Sequence, residues 1–418
     1  GVDMTTGSLG QGISTACGVA LGNKTQKKDA YTYLILGDGE CNEGQVWEGA
    51  AFAPHFGLDH LIAFVDLNKQ QLDGACDDVM YMGDMVDKWT SFGWNTVKIN
   101  GHDIDAIVKA IADAKAGDTV TLLKNVTISS LIKIEKEVTL NLGGKKVTAT
   151  SKKAFEVYAN ATIKNGTIEA AQRCVDTRKA VELTLTDVNL IADKNTTHGN
   201  PQPLTIGGSE NGTKVNMTNV NISAAAGYGI ITFVKTELNA TGCTISGYNA
   251  LYVKPGSENS VFNFNDCDLT GSTTSNDVEG NSFSTIAVRA DDVTVNVDAS
   301  STVSATGNYC WAISLESKYT DENGITGANI TVAGTINGKV LDSADVSKNT
   351  ITVKAEYAAQ LQNAGYGVVI ANGMATAVAP AAMIGNVGYA TFAEALAAAQ
   401  TGETIKLLCD VTTAATIT

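Results

Sequence analysis

Leu183-Thr184-Leu185-Thr186-Asp187-Val188-Asn189-Leu190 carries apolar side chains at i, i+2 and i+7 around a polar turn. The same spacing occurs at Leu140/Leu142/Val147, Ala161/Ile163/Ile168, Val215/Met217/Ile222, Leu238/Ala240/Ile245 and Phe262/Phe264/Leu269. Successive third members lie 21, 22, 32, 23 and 24 residues apart. A period near 22 with short alternating segments predicts a β-solenoid whose coils stack. No coil carries a 3.6-residue apolar pattern, which excludes helical repeats. Weaker copies continue at Val293-Val295-Val297 and Ile330-Val332-Ile336. The 32-residue interval predicts an inserted loop, and His198-Gly199-Asn200-Pro201 suits one. In this register Cys243 and Cys267 fall at equivalent positions. Stacked interior thiols are expected there, with a disulfide as the alternative.

Working outward, a second repeat frames the first. Residues 116–127 and 401–412 follow one plan at a constant offset of 285, each an acid-bearing Gly turn and then a strand. Each is preceded by an Ala-rich amphipathic segment (Ile107 and Ile111; Phe392 and Leu396). These helices are expected to cap solenoid ends. The expected organisation is an α/β segment at 1–117, the solenoid at 118–355, a linker or capping segment at 356–382, and at 383–418 a helix-plus-strand cap beginning a second solenoid. The chain is expected to be a fragment, truncated at both ends.

Before residue 117 the character is different. A Gly-rich turn at Gly7-Ser8-Leu9-Gly10-Gln11-Gly12 leads into a small-residue helix over Ile13 to Leu21. Tyr31 to Leu36 and Leu61 to Asp66 read as buried parallel strands, with a helix from about Glu43 to Phe52 between them. A third strand is expected over Trp94 to Ile99. An amphipathic helix is expected over Asp103 to Ala116. Gly37-Asp38-Gly39 closes the first strand, and Asn68-Lys69-Gln70 follows the second. Glycines at a strand's carboxyl end let the backbone approach a phosphate. Asp38 and Asn68 offer a carboxylate and an amide oxygen on adjacent strand ends, the donor set Mg²⁺ takes alongside phosphate and water.

Three stretches carry a resemblance: residues 1–12, Leu36 to Gly44, and Phe64 to Gly74. Residues 1–116 closely resemble transketolase, specifically its amino-terminal, diphosphate-binding half. The resemblance implies thiamine diphosphate and a divalent metal, Mg²⁺. It implies that Asp38 and Asn68 ligate the metal by side chain and Gln70 by its carbonyl. It also implies that Gly37 and Gly39 meet the diphosphate and that Gly7 and Leu9 line the thiamine site. Glu43 would lie near the subunit interface. The implied reaction is two-carbon transfer between sugar phosphates. The family's early histidines and its pyrimidine-binding half have no counterpart here, so this chain alone is expected to be inactive and to need that missing half. His55, His60 and His102 do not replace those histidines. The resemblance stops abruptly inside 112–117, which predicts a recombination or sequence-assembly junction over a natural fusion.

Residues 118–355 resemble the right-handed parallel β-helix of pectin-lyase-like bacterial surface proteins. Two functions compete for that part. Polysaccharide cleavage would need grooved carboxylates or arginine, for which Asp187, Asp266, Asp268, Asp291, Asp292 and Arg289 are the candidates. A noncatalytic surface or adhesin role, with a glycan or surface partner, needs none of them and is the expected one. The first part implies a cytoplasmic location and the second a cell-surface or secreted one.

Composition narrows the classes. The chain has 418 residues, a net charge of −15 and 44% hydrophobic residues. That charge opposes binding to nucleic-acid phosphate. No apolar run reaches the roughly 20 residues needed to span a bilayer. The eight cysteines show no C-x-x-C pair, and the four histidines do not cluster. The three arginines are Arg173, Arg178 and Arg289.

Overall fold

The structure is a computed structural model that describes residues 2–97, 116–192, 200–210, 212–224, 227–272, 284–315, 324–342 and 344–411. The chain forms two compact units, residues 1–101 and 102–418.

In the first unit, helix α1 (Gln11–Thr25) packs with strand β1 (Thr32–Gly37), helix α2 (Gly44–His55) and strand β2 (Leu61–Asp66). Small residues let the helices close on each other. A Cβ on Gly49 would come within 2.8 Å of the Ile13 side chain. The core is built from Ile13, Ala16, Cys17, Leu34, Leu36, Val46 and Ala50. β1 and β2 pair in parallel, with Thr32 opposite Leu61 and Gly37 opposite Asp66.

Two expectations are corrected here. β1 is not buried on both faces: Tyr33 is 61% and Ile35 66% exposed. Only two strands pair in this sheet among the described residues, and α1 and α2 cover one face. Residues 94–97 are not a strand, and Trp94 instead donates its indole N–H to the Ala50 carbonyl at 2.8 Å. Residues 98–115, which hold the expected cap helix up to its last residue and most of the junction at 112–117, lie outside the described residues, as do 193–199.

The second unit is strand-rich and its long sheets are parallel. One ladder runs from Thr119–Thr121 through 138–141, 161–164 and 182–186 to Thr213–Thr218, Thr236–Thr241, Val261–Asn265, Thr294–Val297, Asn329–Val332 and Thr350–Lys354. A second starts at Val126–Ile128 and reaches Thr335–Asn337. A third starts at Ile132–Ile134 and reaches Lys339–Leu341. Each rung pairs with the rung about one sequence period later. One apolar cluster, from Leu122 to Ala377, collects residues from all three ladders. The inward members predicted from spacing are all buried, and each Val, Leu, Ile, Phe or Met among them contributes about 1.5–3 kcal/mol.

The register of the first rung differs from the sequence reading. Leu140 pairs with Ile163, and Val138 with Ala161, so the rung begins at Val138. Gly143 and Gly144, at φ 58° and 74°, insert extra residues into this rung and displace its triplet by two positions. Elsewhere the left-handed turn between the first two ladders recurs at Asn165, Asp187, Asn219, Gly242 and Asp266, each with φ between 53° and 65°. Within the first ladder, Asn216, Asn239, Asn263 and Asn296 form a side-chain ladder with amide contacts of 3.4, 2.9 and 2.8 Å.

Parallel pairing ends at Thr350–Lys354. The hairpin Gly367–Ala371/Met374–Val378 adds to it antiparallel. Ala382–Ile384 then pairs antiparallel with both Val387–Tyr389 and Ile405–Leu407. Helix Phe392–Ala398 starts with a capping box between Thr391 and Glu394.

Candidate functional site

The parallel register of β1 and β2 brings two chain exits to one edge, the position where open α/β sheets bind ligands. Asp38 leaves β1 there, and its backbone N–H donates to the Asp66 carbonyl at 3.1 Å. Asp38 is 7% exposed. Its Oδ1 accepts from the Gly39 N–H and its Oδ2 from the Lys69 N–H, both at 2.9 Å. The carboxylate therefore ties the two strand ends together. A carboxylate has about four acceptor positions, so roughly two stay uncommitted to these bonds.

Asn68 and Gln70 converge on the same edge. Asn68 Oδ1 accepts from the Gln70 N–H at 2.8 Å, and Asn68 Nδ2 donates to Asp66 Oδ2 at 3.3 Å. Gln70–Gln71 pairs antiparallel with Gly74–Ala75, and Cys76 N donates to the Lys69 carbonyl at 3.1 Å. That bond makes 69/76 and 71/74 the hydrogen-bonded pairs and 70/75 the non-bonded one. Gln70 accordingly turns both its N–H and its C=O away from the hairpin, to the side on which it meets Asn68. Asp38, Asn68 and Gln70, the residues of the three predicted metal ligands, thus lie at one edge, Asp38 bonded to the Lys69 N–H between the other two.

The surroundings suit a polar ligand. A Cβ on Gly39 would lie 2.6 Å from Gln71 Cβ, so only glycine lets this turn pack against Gln71. Beside it, Asn42 Oδ1 and Gln71 Nε2 are buried without a partner, although Asn42 Nδ2 donates to Gln71 Oε1 at 3.3 Å. Among the described residues no group of three or more His, Cys, Asp or Glu side chains could hold a metal ion. A cation here would rest on one carboxylate, one amide oxygen and one carbonyl, which is the hard oxygen chemistry of Mg²⁺. The residue types present fit such an ion.

Two contributors were not singled out from sequence. Glu40 Oε1 accepts from the Gly10 N–H at 2.8 Å, and Oε2 from the Gly37 N–H at 3.2 Å. One carboxylate thus joins the loop holding Gly7 and Leu9 to the Gly37-Asp38-Gly39 turn. It also stands at the amino end of α1, where the helix dipole favours negative charge. The only local signal was its position three residues after Gly37. Cys76 is the other: it is buried, and its thiol is pushed up by burial and by the nearby Asp38 carboxylate. The Cys41 thiol is pushed up to about 12 by burial and by the nearby charges of Glu40 and Asp38.

The remaining predicted residues are placed as follows. Gly7 and Leu9 are on the loop before α1, Leu9 at 59% exposure. Glu43 is the N-cap residue of α2, and its Cβ would meet a Cβ on Gly10 at 2.8 Å. His55 packs against Phe56, and His60 stacks on Tyr31. His102 and His198 lie outside the described residues.

In the second unit the acidic candidates are not brought together. Asp187, Asp266 and Asp292 all have φ of 53° and serve turns. Asp187 and Asp266 are three rungs apart in one column, about 14 Å at the usual strand spacing. Asp291 accepts from the Thr326 N–H at 2.9 Å, and Arg289 is buried with its guanidinium 5.9 Å from the Tyr252 ring centroid. Cys243 and Cys267 are free, buried and adjacent in register, and their thiols donate to the Thr241 and Asn265 carbonyls at 3.4 and 3.2 Å. A different charged cluster lies on the third ladder. Asp176 Oδ2 accepts from Lys153 Nζ and Arg173 Nη1, both at 2.8 Å, while Glu156 takes Lys153 Nζ at 2.7 Å and the Tyr158 hydroxyl at 2.9 Å.

Comparison with known proteins bears on the amino-terminal part. Residues 1–173 match the family "Transketolase, thiamine diphosphate binding domain", a span that runs into the first rungs of the parallel ladders. The 6-deoxy-6-sulfo-D-fructose transketolase subunit SqwG of Clostridium sp. is 50% identical over 115 residues, 28% of this chain and 42% of that protein. An apulose-4-phosphate transketolase subunit of Phocaeicola vulgatus is 38% identical over 109 residues, 26% of this chain and 39% of that protein. Human transketolase is 41% identical over 125 residues, 29% of this chain and 20% of that protein. The chain thus spans between about a fifth and two fifths of the length of these relatives. Its amino-terminal part is a transketolase-like α/β domain.

Proposed function

We propose that the amino-terminal unit binds the diphosphate of thiamine diphosphate through Mg²⁺ held by Asp38, Asn68 and the Gln70 carbonyl, and serves two-carbon ketol transfer between sugar phosphates only with a separate pyrimidine-binding half. The observation that carries this reading is that Asp38, Asn68 and Gln70 lie at one edge of the β1/β2 pair, Asp38 bonded to the Lys69 N–H between the other two. Thiamine diphosphate supplies, when bound, the carbon nucleophile of the transfer. The chain's own residues bind and orient. Gly37 and Gly39 admit the diphosphate, Glu40 holds the loop of Gly7 and Leu9, and Glu43 faces the partner. Two relatives named as subunits support the two-chain arrangement.

Calorimetric titration of thiamine diphosphate with and without Mg²⁺ tests this. Binding is expected to require Mg²⁺ and to be lost in Asn68→Ala, whose exposed side chain makes the variant a mild one for folding. Equal binding by parent and variant would sink the ligand assignment. Turnover of xylulose and ribose phosphates by the purified chain alone would sink the partner requirement.

The second unit reads as a right-handed parallel β-helix of the bacterial surface type, without catalysis. Three parallel ladders around one apolar core, with an outer asparagine ladder, support it. The scattering of the acidic candidates supports the noncatalytic role. This unit is suited to a surface location, and among the described residues no helix is long and apolar enough to cross a membrane. Reducing ends released from pectins or host glycans would overturn that reading.

A further inference from the structure

The internal repeat is used by the fold in two ways, and the difference exposes a docking edge. Residues 116–127 and 401–412 correspond at an offset of 285, and Gly117 and Gly402 share φ of 90°. In the first copy, Thr119–Thr121 receives 139–141 in parallel. Leu122 N donates to the Asn141 carbonyl at 2.9 Å, and Thr139 N to the Asp118 carbonyl at 3.0 Å. Alternate residues of a strand point their backbone groups to opposite edges. Val120 and Leu122 therefore face the incoming strand.

In the second copy, Ile405–Leu407 pairs antiparallel with Ala382–Ile384, and Leu408 N donates to the Ala381 carbonyl at 2.9 Å. This makes 408/381 and 406/383 the hydrogen-bonded pairs. Ile405 and Leu407 point their N–H and C=O groups to the opposite edge, where no strand pairs among the described residues. They are the equivalents of Val120 and Leu122. The open groups thus stand in the parity that the first copy uses to receive its next rung.

Side-chain burial agrees. Leu122 is 6% exposed and its equivalent Leu407 is 49% exposed. The next pair along is alike in both copies, Leu123 at 53% and Leu408 at 43%. What the second copy lacks is the cover on Leu407.

We propose that the edge of Ile405–Leu407 is a docking site for a parallel β-strand with the alternating pattern of Val138-Thr139-Leu140-Asn141-Leu142, the first rung of a second parallel stack. This rests on reading the second unit as stacked coils. The docked strand takes hydrogen bonds from Ile405 and Leu407 and covers the Leu407 side chain.

The test is a full-length chain in which residues 413–418 are replaced by a copy of residues 128–192, examined by amide-resolved hydrogen exchange. In the parent, Lys406 and Leu408 are expected to exchange slowly and Ile405 and Leu407 fast. The graft is expected to slow Ile405 and Leu407 by about 100-fold or more, as pairing turns open amides into protected ones. A graft whose copy carries Leu140→Asp and Leu142→Asp is expected to give no protection. Unchanged exchange at Ile405 and Leu407 with the intact graft overturns the docking edge, provided Val215 and Leu238 stay protected. Loss of protection at Val215 and Leu238 overturns the stacked-coil reading as well. Concentration-dependent protection of Ile405 and Leu407 in the parent means pairing with a second copy, and also overturns the proposal.

Discussion

Glu40→Gln isolates the contact that assembles the amino-terminal site. The parent carboxylate accepts two backbone N–H groups, Gly10 at 2.8 Å and Gly37 at 3.2 Å. Glutamine retains one acceptor oxygen, and its amide nitrogen then faces the other N–H, donor against donor. At least one hydrogen bond to a charged group is lost, about 1.5–3 kcal/mol. Glu40 is only half-buried, so screening by solvent places the expected effect near the lower bound, about 10-fold in a local opening equilibrium. Amide-resolved hydrogen exchange is the assay. Gly10 or Gly37 is expected to exchange about 10-fold faster in the variant, while Leu36 inside β1 stays protected. Glu40→Ala is expected to accelerate both amides. The affinity for thiamine diphosphate is expected to fall by a similar factor, because the binding-competent loop becomes a smaller fraction of the population. Unchanged exchange at both Gly10 and Gly37 in Glu40→Ala would refute the role given to Glu40.

Further outcomes are expected elsewhere in the chain. Asp176→Ala leaves Arg173 and Lys153 facing a buried hole, since Asp176 is fully buried and accepts from both at 2.8 Å; breaking such a pair costs about 3–5 kcal/mol in urea unfolding of the second unit, and a loss under about 1 kcal/mol (on the order of a surface ion pair) would contradict the buried cluster. For its neighbour Glu156, burial alone would raise the carboxyl, but the Lys153 and Tyr158 hydrogen bonds and the Lys153 and Arg178 charges outweigh it and hold it below its ordinary 4.5. Its contribution is therefore full above pH 4.5 and lost as pH falls through the lower native value, so Glu156→Gln should flatten the acid limb of the stability curve. Of the eight cysteines, seven are buried and Cys409 is exposed; a thiol reagent at neutral pH is expected to label one residue quickly, and rapid labelling of Cys41 would contradict its burial.

Much of the architecture was legible because it is periodic. Inward residues of a stacked strand recur in sequence as they do in space, so Leu183, Leu185 and Leu190 announced the burial they have. The exception was the first rung, where Gly143 and Gly144 lengthened the turn and shifted the triplet to start at Val138. The placement of the proposed ligands at one edge was legible for a similar reason. Asp38, Asn68 and Gln70 sit on short strand ends whose neighbours in space are neighbours in the βαβ order. The open face of β1 was not legible, because Tyr31-Thr32-Tyr33-Leu34-Ile35-Leu36 is equally apolar on both sides and only the packing of α1 and α2 chooses one.

The sequence by itself determined what repeats and what is local: the period of the second unit, the oxygen donors at the two strand ends, and the paired plan of 116–127 and 401–412. The tertiary structure alone decided which distant groups meet. Glu40 reaches Gly10 across 30 residues, and Asp176 reaches Lys153 across 23. It also decided that Leu122 is covered while Leu407 is bare. The physical reason is that composition and spacing set which faces a segment can present, whereas pairing register sets which partner satisfies its hydrogen bonds and charges.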